Sequence, residues 1–315
     1  MTSAATSRSP EPRVQMRKQT AGFAAFLAAC CAVYWAPLGE LVRLALADDT
    51  HSHILLVPFL TAGLIWMQRE AIFRRAESSL PAAAACLAAG AALFFLRARL
   101  DPFPDGAGRL TLTILSAVLV AWAAFLLCYG AGTFRAALFP MLFLLLAVPI
   151  PVPVVDRLIL WLQQGSSEVT YWLFRATDTP VLRRGFVFAV PGQTIEIAQE
   201  CSGIRSSLAM LITCLMAGYL FLRTAWARLV LLLAAVPMLV IKNGIRIVTL
   251  TLLSIHVDPG FLHGKLHQRG GFAFFLLGLL ILWPVLRWLQ RAESKLQTPG
   301  RAVAAPGSTL APRAG

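Results

Sequence analysis

Eight apolar runs, near residues 21–38, 53–67, 80–96, 110–129, 136–150, 204–222, 229–241 and 272–290, set the terms on which this chain can fold. A helix that crosses the hydrocarbon core of a bilayer needs about 20 apolar residues. The second, fifth and seventh runs are short, and are expected to be lengthened by their neighbours, by 39–47 before the second and by 244–257 after the seventh. Only 14% of the residues are charged and 58% are hydrophobic, against roughly 25% charged residues in soluble domains. A soluble globular domain is thereby excluded, and so is disorder of the body of the chain. The expected fold is an all-α polytopic membrane protein of about eight transmembrane helices.

The formal net charge of +13 would suit a nucleic-acid partner. Here, however, the Lys and Arg residues lie between apolar runs and at both ends, where they orient spans, so no nucleic acid is expected. Arg8, Arg13, Arg17 and Lys18, the basic loop 68–79 and the basic residues from Arg287 onward favour cytoplasmic N- and C-termini. Residues 1–20 and 291–315 are expected to be disordered cytoplasmic ends, flanking an integral membrane domain over 21–290. Leu27-Ala28-Ala29-Cys30 and Ala45-Leu46-Ala47 resemble processing sites, but the leader before each is wrong in length or polarity, and an uncleaved first span is expected. The six cysteines form no Cys-x-x-Cys pair. Five of them (Cys30, Cys31, Cys86, Cys128 and Cys214) sit in apolar runs, which argues against a disulfide framework or a zinc knuckle.

The longest segment outside the runs is the outer loop 151–200. Within it, 154–174 places Val155, Leu158, Ile159, Leu162, Val169, Trp172 and Leu173 at helical spacing. That pattern predicts an amphipathic helix at the membrane interface, anchored by Trp161 and Trp172. Residues 186–190 and 193–198, joined by Pro191-Gly192, predict a small β-hairpin, with Ile195 and Ile197 alternating with Thr194, Glu196 and Ala198. The hairpin leads into Glu200-Cys201-Ser202-Gly203 and then a span.

Three polar constellations stand out. In Cys201-Ser202-Gly203-Ile204-Arg205-Ser206-Ser207 the thiol sits at a helix start, where the dipole favours an anion and thiol pKa values fall. Arg205 follows one turn later. Lys242-Asn243-Gly244-Ile245-Arg246 follows the seventh run and contains an arginine that is costly at membrane depth without a partner or a task. His263-Gly264-Lys265-Leu266-His267-Gln268-Arg269-Gly270-Gly271 precedes the last span. On the expected topology Cys201 begins an inward-going span, Arg246 ends an outward-going one and His267 precedes another inward-going one, so all three fall at the extracytoplasmic face. A nucleophile, a group able to titrate near neutrality and a cation for an oxyanion are the parts of thiol acyl transfer. Two other readings stand beside it. A non-catalytic membrane component of exopolysaccharide assembly or export would scatter polar residues along a pathway through several spans. A metal-dependent membrane hydrolase would use His263 and His267 together, with His256 and Asp258 nearby.

The Cys-Ser-Gly-Ile-Arg-Ser run at 201–206, the Asn-x-x-Arg at 243–246 and the His-x-x-x-Gly at 267–271 resemble the exosortase/archaeosortase family. So do Ser52-His53 followed by Leu56-Val57-Pro58, Pro149-Ile150-Pro151, and the segment from Gly185 to Ala198. The resemblance extends over roughly residues 21–290. It implies a cysteine transpeptidase of the inner membrane with Cys201 as nucleophile, Arg246 as stabilising arginine and His267 as general acid or base. Arg205, Asn243, Ser202 and Gly203 would support them. It further implies exported protein substrates that end in a sorting motif of the Pro-Glu-Pro type, an apolar span and a basic tail, together with a surface acceptor for the cleaved protein. No metal or organic cofactor is implied. His263 lacks the glycine at the fourth position after it and is the poorer match.

Overall fold

A computed structural model describes residues 12–74, 77–100, 107–198, 203–262 and 265–296, with only the backbone of 12–15, 49, 100, 107, 259, 262 and 265–270. Six of its helical segments are long and apolar enough to cross a membrane, and two bent helix pairs pass the same test, which gives up to eight spans. The protein is therefore an all-α multi-pass membrane protein with one small sheet. It divides into two compact units, Met1–Ile159 and Leu160–Gly315.

In the first unit, α1 (Pro12–Val33) and α2 (Trp35–Ala47) form a pair bent by 77° at Tyr34. Two sequence expectations change here. The described part of α1 already takes in residues 12–20, inside the stretch expected to be disordered. Residues 39–47 extend α2 and not the second span, because the chain breaks after them: the Asp48 side chain accepts from Thr50 N–H at 2.8 Å and starts a 3₁₀ stretch, Asp49–Leu55. Then come α3 (Val57–Met67), the short α4 (Arg69–Ile72), α5 (Leu80–Leu100), α6 (Ala107–Ala136), broken at Gly130, and α7 (Leu138–Phe143). The buried Tyr34 hydroxyl donates to Ser116 at 2.5 Å, and Ser116 donates to the Gly90 carbonyl at 2.7 Å, tying the α1–α2 bend to α5 and α6. Phe125, Tyr129, Ile72 and Met141 form the core beside them.

Helix α8 (Val152–Ala176) leads from one unit into the other. The second unit holds the sheet and three long helices, α9 (Ile204–Phe221), α10 (Ala225–His256) and α11 (Lys265–Leu296). The predicted hairpin is present as β2 (Val187–Val190) and β3 (Gln193–Glu196), with Val190 opposite Gln193 and Val187 opposite Glu196. Its Pro191-Gly192 turn has Gly192 at φ 79°, the positive angle a Pro-Gly turn requires at its second position. A third antiparallel strand, β1 (Leu182–Arg184), pairs with β2. The hairpin buries Phe188, Val190, Ile195 and Ile197 against Phe174 and Val248. At the opposite end of the unit, Glu293 of α11 is 5% exposed. It accepts from the backbone N–H groups of Arg223 and Thr224 and from the Thr224 hydroxyl, tying α11 to the turn that precedes α10. α11 runs past residue 290 to Leu296.

Candidate active site

The amphipathic helix expected over 154–174 lies within α8, but its polar stripe faces inward. Gln163, Ser166, Ser167 and Thr170, at the i, i+3, i+4, i+7 positions of one face, are all buried, whereas Leu158, Trp161 and Trp172 are exposed. Buried in this way, Gln163, Ser166 and Ser167 find their partners inside the protein. Two glycines let α8 and α10 approach closely. A Cβ at Gly165 would lie 2.9 Å from Val240 Cγ1, and one at Gly244 would lie 2.5 Å from Val169 Cγ1.

This seam anchors the chain on both sides of the candidate nucleophile. Before it, Gln163 Nε2 donates to the Ile197 carbonyl at 2.5 Å, Ile197 N–H donates to the Phe186 carbonyl at 3.0 Å, and Ser254 Oγ donates to Gln193 Oε1 at 3.1 Å. After it, Gly203 caps α9 in the left-handed region at φ 73°. Its carbonyl accepts from Ser207 N–H at 2.9 Å and from the Ser206 hydroxyl at 3.0 Å. A Cβ on Gly203 would lie 2.8 Å from Asn243 Oδ1 and 3.1 Å from Asn243 Cγ. Only glycine meets both demands, the positive φ and the contact. Asn243 is itself held by its Nδ2 donating to Ser166 Oγ at 3.0 Å.

The Lys242–Arg246 run is not the end of a span. α10 is continuous from Ala225 to His256, so the expected lengthening by 244–257 holds. Arg246 consequently lies about 15 Å before the helix end, at 1.5 Å per residue. Pro237 is accommodated without a break because it falls in a long helix packed on both neighbours. Lys242 is 1% exposed and donates to Ser206 Oγ at 2.7 Å. Arg246, one turn further on, is half-buried, and Arg205 in the first turn of α9 is exposed.

The structure thus brings Gly203 and Asn243 of two different motifs into contact and places Arg246 one turn beyond them. Cys201 and Ser202 lie outside the described residues, as does His263. His267 falls in the first turn of α11, with its side chain outside them. His256 and Asp258 are exposed. Among the described residues no group of three His, Cys, Asp or Glu side chains could hold a metal ion. Sequence reasoning gave no part to Gln163, Ser166, Ser206 or Lys242. The signal for α8 was available in its four polar residues at helical spacing, and for Lys242 in its place inside an apolar helix.

The chain matches the family described as transmembrane exosortase (Exosortase_EpsH) over residues 45–284. No curated protein and no solved structure matches it.

Proposed function

The chain belongs to the transmembrane exosortase family, and from that premise we propose that it is a cysteine transpeptidase which cleaves the C-terminal sorting signal of exported proteins and passes them to a surface acceptor. The observation that carries the reading is the contact of Gly203 with Asn243, which joins the Cys-Ser-Gly-Ile-Arg run to the Asn-x-x-Arg run around the start of α9. The thiolate of Cys201 attacks the scissile carbonyl carbon beside the sorting motif. Arg246 stabilises the oxyanion that forms. His267 delivers a proton to the departing amine, so the C–N bond breaks, the apolar tail leaves and a thioester remains. A nucleophile on the acceptor, deprotonated by His267, then displaces Cys201. The N-terminal dipole of α9 and the neighbouring cations favour the thiolate.

The site is assigned to the extracytoplasmic face of the inner membrane, with both termini in the cytoplasm, where the motif of a tailed substrate sits just outside its own span. The test is co-expression with an exported reporter that ends in such a tail. Cys201→Ala is expected to abolish cleavage, whereas alanine at each of the other five cysteines leaves it intact; cleavage by Cys201→Ala refutes the reading. His267→Ala is expected to cost about 10²–10⁴-fold, with His263→Ala far milder and chelators without effect. Equal losses at both histidines together with chelator sensitivity point instead to a metal site. Orientation is checked with an impermeant thiol reagent on intact cells, which should modify a single cysteine at position 178 and not one at position 75.

A further inference from the structure

A lysine that is 1% exposed in the middle of an apolar helix requires explanation. An ionisable group at such a place is costly, and it is retained where it has a task. Lys242 lies where three helices meet: its ammonium donates to Ser206 of α9 at 2.7 Å, and its Cδ lies 3.5 Å from the position a Cβ would take on Gly278 of α11. Ser206 in turn donates to the Gly203 carbonyl at 3.0 Å. Lys242 is therefore two hydrogen bonds from the residue that caps α9 and stands two positions after Cys201. The charged group that acts on it is Arg246, one turn on along α10; Arg205, the sequence neighbour of Ser206 in the first turn of α9, is exposed. On α8 the buried groups of the seam, Gln163, Ser166, Ser167 and Thr170, are all neutral. On α11 the residue facing it is Gly278, with His267 and Arg269 at that helix's start. Among the described residues Lys242 forms no ion pair.

We infer that Lys242 is a positioning residue for the nucleophile: through Ser206 it fixes the Gly203 carbonyl at the start of α9, and its buried charge holds the Cys201 thiol in its anionic form. The inference rests on the reading of Cys201 as nucleophile. A cation near a thiol shifts its ionisation equilibrium toward the thiolate by roughly tenfold, or one pH unit.

The experiment uses the full chain in detergent with Cys30, Cys31, Cys86, Cys128 and Cys214 replaced by alanine, and follows the rate of Cys201 alkylation by iodoacetamide against pH. Lys242→Met, which keeps the volume and removes the charge, is expected to raise the midpoint by about one pH unit. Lys242→Gln, which keeps a donor for Ser206, is expected to raise it equally. Lys242→Arg is expected to restore the original midpoint. A folded Met or Gln variant with an unchanged midpoint overturns the inference. So does failure of both uncharged variants to fold, since the lysine is then required only for structure. Gel filtration and thermal melting identify the folded variants. The two readings fail separately. Cleavage by Cys201→Ala removes the premise, whereas loss of cleavage in Cys201→Ala beside an unshifted Lys242→Met profile removes only the role of Lys242.

Discussion

Replacing Gly203 by alanine tests the junction on which the site depends. The substitution meets two costs. An L-residue held in the left-handed region at φ 73° loses roughly 1–2 kcal/mol relative to glycine. In addition, the new methyl would stand 2.8 Å from Asn243 Oδ1 and 3.1 Å from its Cγ. Real Cβ atoms do not approach so closely, so the carboxamide must withdraw, which disturbs its hydrogen bond to Ser166, worth about 1 kcal/mol. Together these come to about 2–3 kcal/mol, and if they are borne where the site closes, cleavage falls roughly 30- to 150-fold, at 1.4 kcal/mol for each tenfold. Gly192→Ala is the internal control. It has the same backbone problem at φ 79° but open space around the added methyl, and it lies in the turn of the hairpin. The assay is initial cleavage rate with a tailed reporter, alongside the melting temperature of each purified variant. Gly203→Ala should be much the less active of the two, and Asn243→Ala combined with it should add less than its separate effect, because the clash is then gone. A Gly203→Ala enzyme as active as the Gly192→Ala enzyme would refute the claim that the Gly203–Asn243 contact organises the site.

Three further outcomes are expected. Gln163→Leu removes the donor to the buried Ile197 carbonyl, costs about 1–3 kcal/mol and should slow cleavage more than it lowers melting temperature, since it frees the chain four positions before Cys201. Glu293→Ala removes the acceptor for the Arg223 and Thr224 N–H groups just before α10 and should cost about 2–4 kcal/mol of stability, read as a lower melting temperature, with no shift in the pH profile of Cys201 alkylation. At Asp48, burial works to raise the carboxyl pKa, but hydrogen bonds from Thr50 and His51 outweigh it and hold the group below the usual carboxylate range. Because the folded-state value is lowered, the stabilisation is complete above the unfolded carboxylate pKa and is lost as pH falls through the folded one. The melting-temperature gap between wild type and Asp48→Asn should therefore be constant at neutral pH and should close as acid is added below about pH 4.

The spans were legible because apolar runs of this length have few alternatives, and the hairpin because Pro191-Gly192 sits between two alternating segments. The boundaries were less so. Residues 39–47 are apolar enough to join either neighbour, and the deciding signal is a single capping side chain, Asp48. Similarly, Lys242-Asn243 looks like the end of a run by hydropathy, yet the residues on either side of it are good enough helix formers to carry α10 through. The side to which the polar stripe of α8 turns was not legible in the same way. Periodicity shows that a helix has two unlike faces; which face meets the protein depends on whether the surround is water or lipid. Its four buried polar residues are compatible with a lipid surround. The third strand, β1, is three residues long and carries two arginines, so no alternation could reveal it.

The anchors around Cys201 restrict the chemistry more than the motifs do by themselves. With Gly203 fixed against Asn243, the Cα of Cys201 can be no further than about 7.6 Å from that of Gly203, two virtual bonds of 3.8 Å. Arg246 begins three residues, about 4.5 Å, beyond Asn243 on α10. On the proposed mechanism this keeps the nucleophile and the oxyanion cation within reach of one substrate carbonyl. His267 enters at a different level. Gly278 of α11 lies beside Lys242, and His267 is about 16 Å from Gly278 along the helix axis. α11 returns from the end at which α10 finishes, so the backbone of His267 stands roughly 10 Å nearer that end than Arg246 does. On the proposed mechanism the scissile bond therefore lies between the two levels, with its carbonyl oxygen toward Arg246 and its leaving nitrogen toward His267. On that mechanism, a substrate whose motif sits just outside its own span would present its peptide bond between these two levels.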